Sequence, residues 1–179
     1  MDTALVLTVI GADRTGLVEV VAAAVAEHGG NWVESRMARL AGRFAGVLRV
    51  DVPAERAGAL GEALRALGGQ GLQVVVEQAE GAGDVSAAGE AMTLEVLGHD
   101  RPGIVRDVAR ALAQRRVNVV ELETTVYSAP MTGEPLFEAH VSLRLPAGAD
   151  VDELRESLEA IASELMVDVR LGAGVDGQV

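Results

Sequence analysis

Apolar runs and helical stripes follow one another along this chain in a single order that is used twice. "ALVLTVI" (Ala4–Ile10) and "MTLEVLG" (Met92–Gly98) are short apolar runs bounded by turn residues, which predicts strands, the first buried on both faces. Leu17, Val20, Val21, Ala24 and His28 then share one helical face, and Gly29-Gly30 supplies the stop. Ile104, Val105, Val108 and Leu112 repeat that stripe. Asn31–Leu40 and Arg43–Val52 flank a tight turn, and Asn118–Tyr127 and Leu136–Leu145 flank a longer one, so both pairs predict hairpins. In the last of these strands Phe137, Ala139, Val141 and Leu143 alternate with Glu138, His140, Ser142 and Arg144, a period of two.

A second helix is predicted in each half. Asp150 with Glu153 makes a capping box ahead of the stripe Val151, Leu154, Leu158, Ile161 and Leu165. Its counterpart at Ala57–Leu67 is weakened by Gly58 and Gly61, each worth about 1 kcal/mol relative to Ala. "LQVVVE" (Leu72–Glu77) and "VDVRL" (Val167–Leu171) close the halves as strands. The order strand-helix-strand-strand-helix-strand predicts an α+β chain of two ferredoxin-like (βαββαβ) domains, each a four-stranded antiparallel sheet covered by two helices.

The halves also match residue by residue. Gly11 and Gly98, Asp13 and Asp100, Arg14 and Arg101, Gly16 and Gly103, and Asn31 and Asn118 all lie 87 positions apart. Phe44 and Phe137, and Pro53 and Pro146, lie 93 apart, so the second half carries six extra residues, placed by composition in the turn "YSAPMTGEP" (Tyr127–Pro135). The small, polar stretch between the halves reads as a linker. The expected organisation is a first domain over 1–78, a linker over 79–90, a second domain over 91–172 and a flexible tail over 173–179.

Composition narrows what such a chain can do. Aromatics make up 2% of its 179 residues, so the cores are aliphatic, and a net charge of −12 opposes binding to nucleic acid or anionic lipid. The scarcity of aromatics also argues against the RNA-reading use of this fold, which stacks bases on the open sheet face. Without cysteine the chain forms no disulfide, thiolate nucleophile or Cys-ligated metal site. The three histidines show no metal-ligand spacing, and no Ser-His-Asp arrangement is present. No metal, no cofactor and no catalysis are expected. Neither a signal peptide nor an apolar stretch near the ~20 residues of a membrane span is found, and a cytoplasmic location is expected.

What repeats most closely is a loop, "IGADRTG" (Ile10–Gly16) and "LGHDRPG" (Leu97–Gly103), joining the first strand of each half to its helix. Gly11 and Gly98 allow positive φ or close backbone approach. Gly16 and Gly103 leave the helix start bare, where free N–H groups and the dipole suit a small carboxylate. Asp13 and Asp100 could meet an ammonium group, which together is what an α-amino acid presents. The plainer reading is that each Asp caps a helix and that Pro102 begins one. On the ligand reading, Gly103→Val and Gly16→Val should block the site and leave the fold intact. Arg14 and Arg101 are expected to pair with nearby carboxylates, His28 to complement a helix C-terminus, His140 to be solvated beside Glu138, and Trp32 to be a core or interface residue.

On "GADRTG" and "GHDRPG", each between an apolar strand and an amphipathic helix, with Asn31 and Asn118 opening the next strand, the chain resembles the ACT domains. The tandem arrangement is similar to the glycine cleavage system transcriptional repressor group. The resemblance implies ligand contacts at Gly11, Asp13, Gly16, Leu17 and Asn31, and at Gly98, Asp100, Gly103, Ile104 and Asn118; His99, the only histidine in a loop, is a further candidate contact on its position alone. ACT domains commonly hold their ligand at an interface between two modules, near the first loop and the start of the second strand. Thr15 stands where the family usually has proline, and His99 stands where the first copy has Ala12, so the two sites need not be equivalent. The resemblance implies a non-enzymatic regulator that binds a small amino acid, such as glycine, and signals to a protein partner such as a transcription regulator. The alternatives are a regulatory subunit of an amino-acid or one-carbon enzyme, and a ligand-free structural homodimer. The two copies are expected to pack together, and two chains to form a symmetric homodimer through exposed strand edges.

Overall fold

The structure is a computed structural model that describes residues 1–79 and 89–174. The chain divides into two compact units, Met1–Gly83 and Asp84–Val179. Most of the expected linker and the end of the expected tail lie outside the described residues, while Ala173 belongs to the last strand.

The first unit runs β1 (Asp2–Ala12), α1 (Leu17–Glu27), β2 (Asn31–Leu40), β3 (Arg43–Pro53), α2 (Ala54–Ala66), a 3-10 turn at Leu67–Gln70 and β4 (Leu72–Gln78). The second repeats the order as β5 (Ala91–His99), α3 (Ile104–Gln114), β6 (Asn118–Ser128), β7 (Pro135–Arg144), α4 (Val151–Leu165) and β8 (Val167–Ala173). Each unit forms one antiparallel four-stranded sheet, ordered β2-β3-β1-β4 and β6-β7-β5-β8. This is the α+β, βαββαβ arrangement that the sequence pattern predicts. No helix among the described residues is long and apolar enough to cross a membrane.

One strand departs from expectation. β1 is buried on a single face: Leu5, Leu7 and Val9 are buried, while Thr8 and Ile10 are exposed. Both helices of a βαββαβ unit return to the same side of the sheet, so the other side stays open, and the apolar run conceals a period of two. The buried residues of β1 join those of α1 and α2 in one core, and Leu94, Val96, Leu112, Leu154 and Leu158 belong to the second.

Helix starts differ between elements. Asp150 caps α4 as expected, its carboxylate accepting from the N–H groups of Asp152 (2.9 Å) and Glu153 (3.1 Å). No side chain caps α1 or α3; Gly16 and Gly103 hold the N-cap positions in left-handed conformation, φ +89° and +103°. Asp13 and Asp100 are therefore not helix caps. The edge strands β2 and β6 carry a bulge at the same place, between Trp32 and Glu34 in β2 and between Val119 and Glu121 in β6.

Candidate functional site

The repeated loop follows the first strand of each unit, and much of its repetition is explained by folding. Gly11 and Gly98 sit inside strands and serve close approach. A Cβ at Gly11 would lie 2.7 Å from the Gly71 carbonyl oxygen, and one at Gly98 would lie 2.9 Å from the Val167 Cα. The N–H of Asp13 donates to the Gly42 carbonyl and that of Asp100 to the Pro135 carbonyl, both at 2.9 Å, tying each loop to the neighbouring hairpin. The expected pairing of Arg14 and Arg101 with carboxylates is not found. Arg14 donates to the Gln70 carbonyl (2.9 Å) and Arg101 to the Glu164 carbonyl (3.0 Å), so each guanidinium fastens the loop to backbone near the end of the second helix.

Gly16 and Gly103 correct a second expectation. At φ +89° and +103° a valine is strained whatever the space around it. A left-handed backbone costs an L-residue roughly 1–2 kcal/mol, so Gly→Val here perturbs the helix start and is no clean probe of a ligand.

The side chains around the two loops differ in charge. In the first unit Arg39 Nε lies 2.7 Å from Asp13 Oδ2, so a cation already occupies that carboxylate. The matching position in β6 is Val126, and among the described residues no ion pair engages Asp100. Glu19 Oε2 lies 3.8 Å from where a Gly16 Cβ would stand, whereas beside Gly103 the corresponding atom is Arg106 Nη2, at 3.2 Å, with Asp107 Oδ2 next to it at 3.6 Å. Glu19 and Arg106 are 87 positions apart, so the duplicated scaffold carries a carboxylate at this point in one copy and an arginine paired with a carboxylate in the other. Arg106 also donates to both oxygens of Asp107 (2.8 and 3.1 Å), which holds that half-buried carboxyl below the usual carboxylate range and raises the guanidinium in turn.

The other predicted residues separate into groups. Leu17 and Ile104 are buried core residues. Asn31 and Asn118 do not converge with the loop of their own unit. Asn31 pairs with Asp51, level with Ala4, at the opposite end of β1 from Gly11, and Asn118 pairs with Arg144, level with Ala91. Seven or so residues of strand at ~3.3 Å each separate the two ends, beyond the reach of one small ligand. Gly98 and His99 line an open cavity of about 720 Å³ together with Glu159, Ser163 and Asp168. His99 Nδ1 is 3.6 Å from Glu134 Oε2, a residue of the lengthened turn.

The remaining singled-out side chains lie apart from the loop. His28 Nδ1 is 2.8 Å from the Ala24 carbonyl oxygen, His140 stands half-exposed beside Glu138 (3.3 Å), and Trp32 packs against the first core. Among the described residues no group of three or more potential ligands could hold a metal ion. The motif itself gives no hint of Glu19, Arg39 or Arg106; aligning the halves at the 87-residue offset marks the first and last as a charge reversal.

Comparison with known proteins agrees with this architecture. The ACT domain family matches residues 3–77 and again residues 92–163, which together span most of the chain. This chain is a tandem ACT-domain protein. It is 31% identical over 83 residues to a UPF0237 protein of Methanococcus maripaludis, a match covering 46% of this chain and 86% of that one. The solved structure of an unknown protein from Galdieria sulphuraria is 32% identical, with a TM-score of 0.83 over 98% of this chain and 100% of the other. A structure assigned as a glycine cleavage system transcriptional repressor superposes over 96% of this tandem ACT chain and 97% of its own length, with a TM-score of 0.69 and 22% identity, and shares the fold. ACT domains are regulatory small-ligand-binding modules, and this chain carries two of them.

Proposed function

We propose that this tandem ACT protein is a non-catalytic, cytoplasmic regulator that binds an α-amino acid at the loop Gly98–Ile104 of its second unit. The observation that carries the reading is the charge reversal beside the left-handed glycine. A ligand carboxylate at the α3 N-terminus meets the positive end of the helix dipole and exchanges with Asp107 for the exposed Arg106 guanidinium, while the Asp100 carboxylate remains available to an ammonium group. At the first loop the same carboxylate meets Glu19, and Asp13 is already paired with Arg39. The first loop is therefore the structural copy and the second the ligand copy. Gly98, His99, Asp100, Gly103 and Ile104 form the ligand loop, and glycine is the smallest ligand that tests it. The bound state passes to a protein partner, a transcription regulator in the reading that the repressor-like architecture supports, since a net charge of −12 keeps the protein itself off DNA.

Arg106→Glu tests the assignment. A ligand at 100 times its Kd stabilises the fold by about 2.7 kcal/mol, a rise of several degrees in Tm. Differential scanning fluorimetry across the amino acids should show that rise for the wild type, lose it in Arg106→Glu, and retain it in Glu19→Gln. Retention of the full shift by Arg106→Glu would remove the loop from the site.

The homodimer belongs to the same proposal. Every residue of the eleven in β6 is exposed, and the strand pairs only with β7 among the described strands, which leaves an edge for a second chain. Light scattering should give twice 18.5 kDa at micromolar concentration; a monomer at that concentration would exclude it.

A further inference from the structure

The last strand of the second unit, β8, is covered less well than its counterpart β4. Val9 pairs with Val74 and Val96 with Val169, so these two valines correspond; Val74 is buried, while Val169 is half-buried. The difference lies in how the chain enters each strand. The first unit inserts the 3-10 turn Leu67–Gln70 ahead of β4, and Leu67 joins the core that holds Leu72 and Val74. In the second unit α4 passes into β8 through Met166 alone, left-handed at φ +50° and 74% exposed. Two hollows are left along the seam between α4 and β8. The open cavity of about 720 Å³ runs beside Ala162, Ser163, Val167 and Val169, and one of about 230 Å³ runs beside Leu158, Val169 and Leu171. One hollow spans Val167 to Val169 and the next Val169 to Leu171, a step of two strand residues, or ~6.6 Å. The seam is also polarised: Arg155 and Arg170 border the smaller hollow, Asp168 the larger, and Glu159 both. Among the described residues none of these four side chains has an ion-pair partner.

We infer that β8 takes up an extended segment of a protein partner, which adds a strand antiparallel to β8 and lowers two aliphatic side chains, two residues apart, into the hollows. The inference deepens the protein-partner part of the proposed function and rests on that part alone. β8 pairs only with β5 among the described strands, so the backbone groups along its outer side are open to a further strand. Strand addition draws affinity from those groups and specificity from pockets for alternate side chains, and the seam offers both. A helix satisfies its own backbone groups and would leave the β8 edge unpaired. A second copy fits poorly too, because Val169 and Leu171 of its own β8 already pack against its core and bring α4 with them. Charge sets the polarity of the segment. Running antiparallel, it begins beside Arg155 and Arg170 and ends beside Glu159 and Asp168. An acidic residue ahead of the two aliphatic ones and a basic residue after them complement the seam.

The test uses a blocked hexapeptide, acetyl-Glu-Val-Thr-Val-Thr-Lys-amide, titrated into the isotope-labelled full chain and followed by the amide resonances. Saturable shifts are expected at β8 and along α4. Exchanging the two charged residues of the peptide should weaken binding about tenfold, since two exposed charge pairs turn from attractive to repulsive. The double substitution Arg155→Glu with Arg170→Glu, at two exposed positions, should erase the preference between the two peptides. Ser163→Trp, on the exposed side of α4, should fill the larger hollow and weaken both peptides alike. Absence of a saturable β8 shift in the wild type overturns the inference, as does equal affinity for the two peptides. Shifts of β8 that follow protein concentration without peptide assign the edge to a second copy and overturn it as well. If the amino-acid thermal shift persists where the hexapeptide fails, the ligand loop stands and strand addition falls. Hexapeptide binding without any amino-acid response strikes the ligand loop alone.

Discussion

Gly98→Val is expected to destabilise the second unit by about 3 kcal/mol, at the upper end of what overpacking does, and so to lower its midpoint by roughly 10–25 °C. A side chain at this position has nowhere to go. Gly98 lies in β5, which is hydrogen-bonded to β7 on one side and β8 on the other, and stands directly opposite Val167. Its Cβ would fall 2.6 Å from the Val167 Cγ1 and 2.9 Å from the Val167 Cα. A side-chain tip can rotate aside, but the backbone of a paired strand cannot, and Val167 is itself buried in the core. Gly11→Val should behave alike in the first unit, because its Cβ meets the backbone carbonyl of Gly71. The measurement is hydrogen exchange of the β5 and β8 amides with no ligand present, together with thermal unfolding of the full chain. Near wild-type protection in Gly98→Val, with only a ligand response lost, would show that the glycine serves a ligand and not the approach of two strands.

That expectation bears on what a repeated motif can say. The element order was legible because each apolar stripe keeps its period, and the duplication was legible because glycine, aspartate and arginine recur at one offset. Those recurring residues hold the loop to its own unit: glycine by close approach, aspartate through its backbone N–H, arginine through a carbonyl near the end of the second helix. Repetition therefore marked the scaffold more than the chemistry. The proposed ligand chemistry lies where the copies differ, at Glu19 against Arg106, and no motif contains either residue. The apolar trough of the second unit, lined by Val105 and Ala109 of α3 and by Val119 and Leu122 of β6, was illegible for a geometric reason. Val119 and Leu122 are three residues apart, and plain strand alternation would put them on opposite faces. The bulge between Val119 and Glu121 shifts the register, so that Val119 faces Leu143, Leu122 faces Val141, and both line one trough. The convergence of loop and asparagine failed for the opposite reason. The helix between them carries the chain back along the full length of the sheet, so neighbours in sequence end at opposite ends of β1.

Leu7→Ala should lower the stability of the first unit by about 2–5 kcal/mol, the range for deleting a fully buried leucine side chain, whereas Ile10→Ala on the same strand should lower it by less than about 1.5 kcal/mol. The sequence pattern treats the two alike, since both lie in one apolar run that reads as buried on either side. The structure separates them. Leu7 is 0% exposed, in the core formed with α1 and α2, and its removal leaves a cavity among Leu48, Leu60 and other side chains that close packing holds in place. Ile10 is 39% exposed on the open face of the sheet, where water can take up the space its side chain leaves. On the scale of a domain this size the first substitution corresponds to a fall of roughly 10–30 °C in midpoint and the second to a few degrees. Hydrogen exchange of the β1, β3 and β4 amides, read against those of β5, β7 and β8 in the same molecule, assigns the loss to the correct unit. Equal losses from Leu7→Ala and Ile10→Ala would mean that the open face of this sheet is covered in solution, and that β1 is buried on both faces after all.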